Sequence, residues 1–145
     1  MSVQFDTLEG GCLCGAIRYR LKAPYRPVLQ CHCGQCARWT GYLVAATQVH
    51  VDSFELLTGV ETLSWYRSSD WAERGFCGTC GSCLFWRQTS EERISILAGT
   101  LDRPTGLKTA AHIFASEKSD YYEIGDAAPQ YAGCISQADC ATLKI

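Results

Sequence analysis

"FCGTCGSCLFW" (residues 76–86) joins a C-x-x-C pair to an apolar, aromatic run. How this stretch is read decides the fold class. A redox C-x-x-C needs a βαβ setting, with a helix beginning at its first cysteine. Here Cys83–Trp86 reads as a strand, so Cys77 and Cys80 lie in a turn between strands. That is the setting of a zinc knuckle, in which the turn aims both sulfurs at one point. Gly81 lets the backbone take a positive φ there and direct N–H groups at the thiolates.

Working outward, the chain repeats the strand-and-turn pattern. "AIRYRLK" (16–22) alternates Ile17, Tyr19 and Leu21 with Arg18, Arg20 and Lys22, the signature of a half-buried strand with one wet face. Further strands are predicted at Val28–Gln30, Tyr42–Thr47, Phe54–Thr58, Thr62–Arg67, Arg74–Phe76, Cys83–Trp86, Ile94–Gly99 and Ala111–Phe114. They are short, rich in β-branched and aromatic residues, and separated by Gly, Pro, Ser and Asp. Helical pieces are confined to Gly34–Trp39 and Ala138–Leu143. The expectation is an all-β chain of small sheets, with at most short helices. No repeat or linker interrupts it, so residues 1–145 are read as one domain.

The totals narrow the function classes. A net charge of −2 argues against a nucleic-acid partner held by bulk electrostatics, because phosphate binding needs a basic surface. "MSVQFDTLEG" has no basic n-region followed by an apolar h-region, and no run reaches the ~18 apolar residues of a membrane span. A cytoplasmic location is expected. The 10 cysteines are then the anomaly, since in a reducing compartment they serve as metal ligands or catalytic thiols rather than disulfides.

Two more cysteine motifs accompany Cys77 and Cys80. In "GGCLCGA" (10–16), Cys12 and Cys14 form a C-x-C. Residues two apart in an ideal strand lie ~6.6 Å from each other. Two sulfurs on one tetrahedral zinc sit ~3.8 Å apart. The backbone must bend, and Gly10, Gly11 and Gly15 permit it. In "CHCGQC" (31–36), Cys31, Cys33 and Cys36 can converge on one metal, with Gly34 at the bend. His32 lies between two of them and should point away by the period-two rule, as a surface histidine or one supporting the ligands from behind.

The count suggests a closed site of Cys12, Cys14, Cys77 and Cys80 and an open one of Cys31, Cys33 and Cys36. Closed sites are structural, whereas three protein ligands leave a position for water or substrate. Spacing alone leaves other partitions open. Cys31 and Cys33 can pair with Cys77 and Cys80, or Cys83 or a C-terminal cysteine can close the vacancy. Cys83 is read as a core side chain, and Cys134 and Cys140 as ordinary thiols.

Together these motifs resemble the glutathione-dependent formaldehyde-activating enzyme (GFA) family, which includes the centromere protein V-like domains. The resemblance rests on "GGCLCGAIRY" (10–19), "CHCGQCARWTG" (31–41), "RGFCGTCGSCLFW" (74–86) and "HIFASEKSDYYEIGDAAPQY" (112–131), in the family's order. It implies small coiled antiparallel sheets like those of the Mss4 protein. It implies two Zn2+ per chain, a structural ion at Cys12, Cys14, Cys77 and Cys80 and a functional ion at Cys31, Cys33 and Cys36. It also implies a carbon–sulfur lyase that joins the thiol of glutathione, as co-substrate, to formaldehyde, giving S-hydroxymethylglutathione. Gly41, His112, Lys118, Asp126, Pro129 and Gln130 are further family-like positions. Tyr121 stands where the family often has tryptophan, and Cys83 is unusual before "LF".

The residues suit that chemistry. A thiol with a pKa near ~8.5 is mostly protonated at neutral pH, and zinc binding deprotonates it. His112 is either a proton-transfer group or a buried structural histidine. Arg38 and Lys118 either hold a substrate carboxylate or are solvated charges. The expected partners are small-molecule thiols and aldehydes, with no nucleic acid or membrane. The oligomeric state is left open, a homodimer included. Two alternatives stand beside the lyase: a same-fold zinc enzyme or carrier for another thiol or carbonyl compound, and a non-catalytic zinc-stabilised binding module.

Overall fold

The computed structural model describes residues 4–136, 138 and 139. The chain packs as two compact units that interleave in sequence. The first comprises Met1–Arg26 and Thr47–Leu107, the second Pro27–Ala46 and Lys108–Ile145. Among the described residues, ten strands predominate, with one complete α-helix and three short 3-10 turns, so the expected all-β class holds.

In the first unit, β1 (Thr7–Gly11), β2 (Arg18–Lys22) and β5 (Phe54–Thr58) form an antiparallel sheet in the order β1-β2-β5. The alternation read from "AIRYRLK" is realised there. Ile17, Tyr19 and Leu21 are fully buried, while Arg18 pairs with Asp102 and Arg20 with Glu9 on the other face. β1 was not expected from "TLEGG". It pairs from Thr7↔Lys22 to Gly11↔Arg18, so its partner and not its own propensity makes it a strand. Gly10 and Gly11 serve close approach within this pairing. A Cβ on Gly10 would meet the Tyr19 hydroxyl at 2.4 Å, and one on Gly11 the Ile17 carbonyl oxygen at 2.3 Å.

The same unit holds β6 (Leu63–Ser69), β7 (Ala72–Cys77), β8 (Cys83–Gln88) and β9 (Arg93–Leu97), with antiparallel hairpin pairings throughout. Its core is aromatic at the centre. Phe85 is fully buried, with its ring 5.1 Å from Tyr19, 5.1 Å from Phe54 and 6.1 Å from Trp65, centroid to centroid. Such edge-to-face and offset pairs add to the area term. Phe85→Ala is therefore expected to cost about 3–5 kcal/mol, read as a shift of the urea midpoint at constant m-value.

In the second unit, β3 (Val28–Cys31) lies between β10 (Thr109–Ile113) and the first residues of β4 (Val44–His50). Leu29↔Ala46 and Cys31↔Val44 run antiparallel. Thr109↔Val28 to Ile113↔Cys31 run parallel, which departs from the antiparallel sheets that the resemblance implied. A parallel pair needs a long crossover, and the Thr47–Leu107 stretch of the first unit lies between these two strands in sequence. Helix α1 (Gly34–Thr40) follows β3 directly. Of the expected Ala138–Leu143 helix, Ala138 and Asp139 are helical, and Gln137 and the residues from Cys140 onward lie outside the described set. Among the described residues, no helix is long and apolar enough to cross a membrane.

Candidate metal sites

In the first unit, four sulfurs gather from two hairpin-like turns. The ligand atoms of Cys12, Cys14, Cys77 and Cys80 all lie within 4.8 Å of one another. Cys12 Sγ is 3.5 Å from Cys14 Sγ, which is 3.8 Å from Cys77 Sγ. Those separations match the ~3.8 Å edge of a tetrahedral thiolate site.

The local folding has identifiable causes. After β1 the chain reverses at Gly15 (φ 81°), whose N–H donates to the Cys12 carbonyl at 3.1 Å. The Cys77–Cys80 turn closes the same way at Gly81 (φ 79°), whose N–H reaches the Cys77 carbonyl at 2.8 Å. These positive φ values are open to glycine without strain. Backbone N–H groups then face the sulfurs: Ile17 donates to Cys12 Sγ at 3.2 Å and Cys80 to Cys77 Sγ at 3.4 Å.

Ser82 bridges the two turns, taking the Leu13 N–H at 2.9 Å and lying 3.2 Å from Cys80 Sγ. Its hydroxyl, with its backbone N–H, pulls the Cys80 thiol down to about 5. The Ala16 N–H favours the Cys14 thiolate more than any single neighbour opposes it, but Cys12, burial, Cys80 and Cys77 together outweigh it and leave Cys14 up at about 11. A cluster of neighbouring thiols cannot ionise together without a cation among them.

In the second unit, Cys31, Cys33 and Cys36 form the other group within that distance. Cys31 ends β3, and Cys33 is the N-cap of α1, its sulfur accepting the Cys36 N–H at 3.3 Å. The three-residue spacing places Cys33 and Cys36 on one face of the helix. Glu117 accepts the Gly34 N–H at 3.1 Å, so Gly34 opens the helix rather than supplying the bend foreseen for it. Hydrogen bonds from Cys31 and then Cys36 hold Cys33 down at about 2, and the same contacts raise Cys31. Among the described residues this group has three sulfurs. Cys83 belongs to neither group; it is half-buried rather than a full core residue, and burial pushes its thiol up. Cys134 is an exposed thiol, and Cys140 lies outside the described residues.

Behind the three-cysteine turn runs a line of four polar side chains. His32 is not a surface residue; it is buried, with Nδ1 2.7 Å from the Tyr122 hydroxyl and Nε2 2.9 Å from His112 Nδ1. Both its ring nitrogens are engaged, so it has none to spare for a metal. His112, also buried, presents Nε2 to Asp126 Oδ1 at 2.9 Å and Oδ2 at 3.0 Å. Backbone bonds hold the arrangement: His112 N–H donates to Pro129 O at 2.8 Å, and Tyr131 N–H donates to His112 O at 2.9 Å.

The Tyr122 ring stacks on His32, 5.6 Å between centroids, and packs against Tyr42 and Tyr121 at 4.8 and 5.4 Å. Tyr42 and Tyr121 are largely exposed. Lys118 Nζ donates to the carbonyls of Ser119 and Tyr122 and lies 5.0 Å from the Tyr122 ring centroid. Arg38 is an exposed residue in the last turn of α1.

The sequence reading assigned no role to Tyr122, Tyr42 or Asp126. The paired tyrosines of "SDYYEIGD" were the available signal, but nothing in their spacing reveals which ring meets His32, 90 positions away.

Comparison with known proteins is consistent with this geometry. The family model described as glutathione-dependent formaldehyde-activating enzyme matches residues 7–117. A Halomonas elongata protein provisionally named a glutathione-dependent formaldehyde-activating enzyme is 30% identical over 129 residues, covering 81% of this chain and 80% of its own. A Schizosaccharomyces pombe protein named an uncharacterized lyase is 27% identical over 120 residues, covering 81% of this chain and 85% of its own. A crystal structure of a Rhodobacter sphaeroides protein has the same fold, with a TM-score of 0.54 at 22% identity, covering 84% of this chain and 98% of that one. With the family's pattern running through both cysteine groups, the chain belongs to the glutathione-dependent formaldehyde-activating enzyme family.

Proposed function

We propose that the protein is a zinc-dependent carbon–sulfur lyase that joins the thiol of glutathione to formaldehyde at the Cys31, Cys33 and Cys36 site. The observation that carries this reading is a group of three converging sulfurs in one unit, with a separate group of four in the other, in a chain of this family. All-sulfur donor sets at tetrahedral spacing suit zinc, and the S···S distances of 3.5 and 3.8 Å in the four-sulfur group fit such an ion. Two Zn2+ per chain follow, one structural and one functional. When bound at the three-sulfur site, zinc would supply a cation that keeps a substrate thiol ionised at neutral pH.

The rest of the work falls to the chain. Cys31, Cys33 and Cys36 would bring three negative charges to the site and so disfavour water activation relative to thiol capture. His112 is read as a proton-handling group, which acts from behind through His32 because it is itself buried. Arg38 and Lys118 are read as contacts for a carboxylate of glutathione. Lys118 donates to two carbonyls and lies 4.0 Å from Glu123 Oε1, so a substrate carboxylate would take its third N–H in competition with Glu123. Residues 1–145 are taken as one functional domain, since the family match runs through both units. A cytoplasmic location is part of this reading, since cysteine-rich metal sites suit a reducing compartment.

Exchange spectroscopy on mixtures of formaldehyde and glutathione tests the reading. Zinc-loaded protein should speed interconversion of free and glutathione-bound formaldehyde in proportion to its concentration. An unchanged exchange rate would remove the assignment.

A further inference from the structure

The line Asp126–His112–His32–Tyr122 has a direction, and one end sets it. A carboxylate only accepts hydrogen bonds. The bond from His112 holds the Asp126 carboxyl below its usual range, so Asp126 is ionised at neutral pH. His112 therefore carries its hydrogen on Nε2. In the neutral ring Nδ1 is then an acceptor, and the group facing it at 2.9 Å is His32 Nε2, which must donate. That leaves His32 Nδ1 as an acceptor for the Tyr122 hydroxyl at 2.7 Å. The Tyr122 hydrogen points inward and its oxygen lone pairs point away from His32.

Tyr122 belongs to the neighbourhood of the three sulfurs. Its ring stacks on the residue between Cys31 and Cys33, at an interplanar angle of 28°. Its phenol is pushed up by burial first, then by Tyr121 and Tyr42, against a backbone hydrogen bond from Ser119, with Cys31 adding least; the oxygen's second lone pair is the one left for a substrate. Lys118 fixes the backbone at Tyr122 through its carbonyl.

We propose that Asp126 is a positioning residue that, through His112 and His32, sets the Tyr122 oxygen as a hydrogen-bond acceptor for the hydroxyl of a substrate adduct at the three-cysteine site. This rests on the reading of that site as the place where thiol and aldehyde meet. It extends that reading to specificity. An outward acceptor favours the hydroxyl of an S-hydroxymethyl adduct over a carbonyl oxygen, whose lone pairs would oppose its own.

Imidazole 15N shifts of histidine-labelled, zinc-loaded full-length protein at about pH 8, where histidine is ordinarily neutral, read the tautomers directly. Wild type should show His112 and His32 both protonated on Nε2. Asp126→Ala should populate the Nδ1–H form of His32, a change that loss of packing alone does not produce. Tyr122→Phe should leave the His112 tautomer in place and lower the glutathione–formaldehyde exchange rate about fivefold, the worth of one neutral hydrogen bond.

The proposal is overturned if wild-type His32 carries its hydrogen on Nδ1, if Asp126→Ala leaves the tautomers unchanged, or if Tyr122→Phe exchanges at the wild-type rate. Correct tautomers in a wild-type protein without exchange activity would instead remove the glutathione–formaldehyde reading and the substrate half of this proposal. The positioning half would stand.

Discussion

Cys80→Ser is expected to abolish cooperative folding at 25 °C. Cys80 is one of four sulfurs that tie the turn after β1 to the turn between β7 and β8, 63 residues or more apart in sequence. A structural zinc contributes about 10–16 kcal/mol of apparent binding free energy in small domains. Whole-domain stabilities are about 5–15 kcal/mol. Serine does not replace a thiolate at neutral pH, so most of that contribution is lost and little remains to hold β1 and β2 against the second hairpin. The expected readouts are loss of near-ultraviolet circular dichroism, no sigmoidal thermal transition, and less than one zinc per chain after dialysis. Treating wild type with a strong chelator should reproduce the spectrum. A melting temperature within a few degrees of wild type would show that the four-sulfur group is not structural.

Cys33→Ser is expected to do the opposite: keep the fold and lose the chemistry. Cys33 is the N-cap of α1, and its side chain accepts the Cys36 N–H. Serine is among the best N-cap residues, so the helix keeps its start. The site loses one of its three sulfurs, and zinc per chain should fall from two to one while the melting temperature changes by only a few degrees. Disturbing the support of a metal ligand already costs about 10–100-fold in affinity or activity, so removing a ligand should cost at least the upper figure in exchange rate. Equal unfolding of Cys80→Ser and Cys33→Ser would make the division into structural and functional sites wrong.

The two substitutions are expected to differ because the two cysteine groups are embedded differently, and that difference was only partly readable in advance. C-x-x-C followed by a strand announces a knuckle, and C-x-C flanked by glycines announces a bend, because the demands of tetrahedral sulfur geometry are local. The three-sulfur turn was legible for the same reason, since β3, an N-cap and one helical turn suffice to bring Cys31, Cys33 and Cys36 together. β2 was legible because half-burial writes a period of two into the residues. β1 was not. "TLEGG" carries one apolar side chain, and its glycines are there because Tyr19 and the Ile17 carbonyl need their space.

His32 marks the boundary between the two kinds of information. Its position between Cys31 and Cys33 foretold that it would not join their group. Nothing local foretold that it would be buried, or that it would meet His112 and Tyr122.

By itself, then, the sequence determined the all-β class, the family, the membership of each cysteine in its motif and the short helix after β3. All of these follow from spacing over a few residues, where backbone geometry leaves few choices. Which motif joins which was decided by the tertiary structure, as were the parallel pairing of β10 with β3 and the line from Asp126 to Tyr122. The physical reason is that hydrogen bonds and sulfur contacts across 60 to 90 residues leave no periodic trace in the chain. They exist only once burial has excluded water and given each polar group one partner.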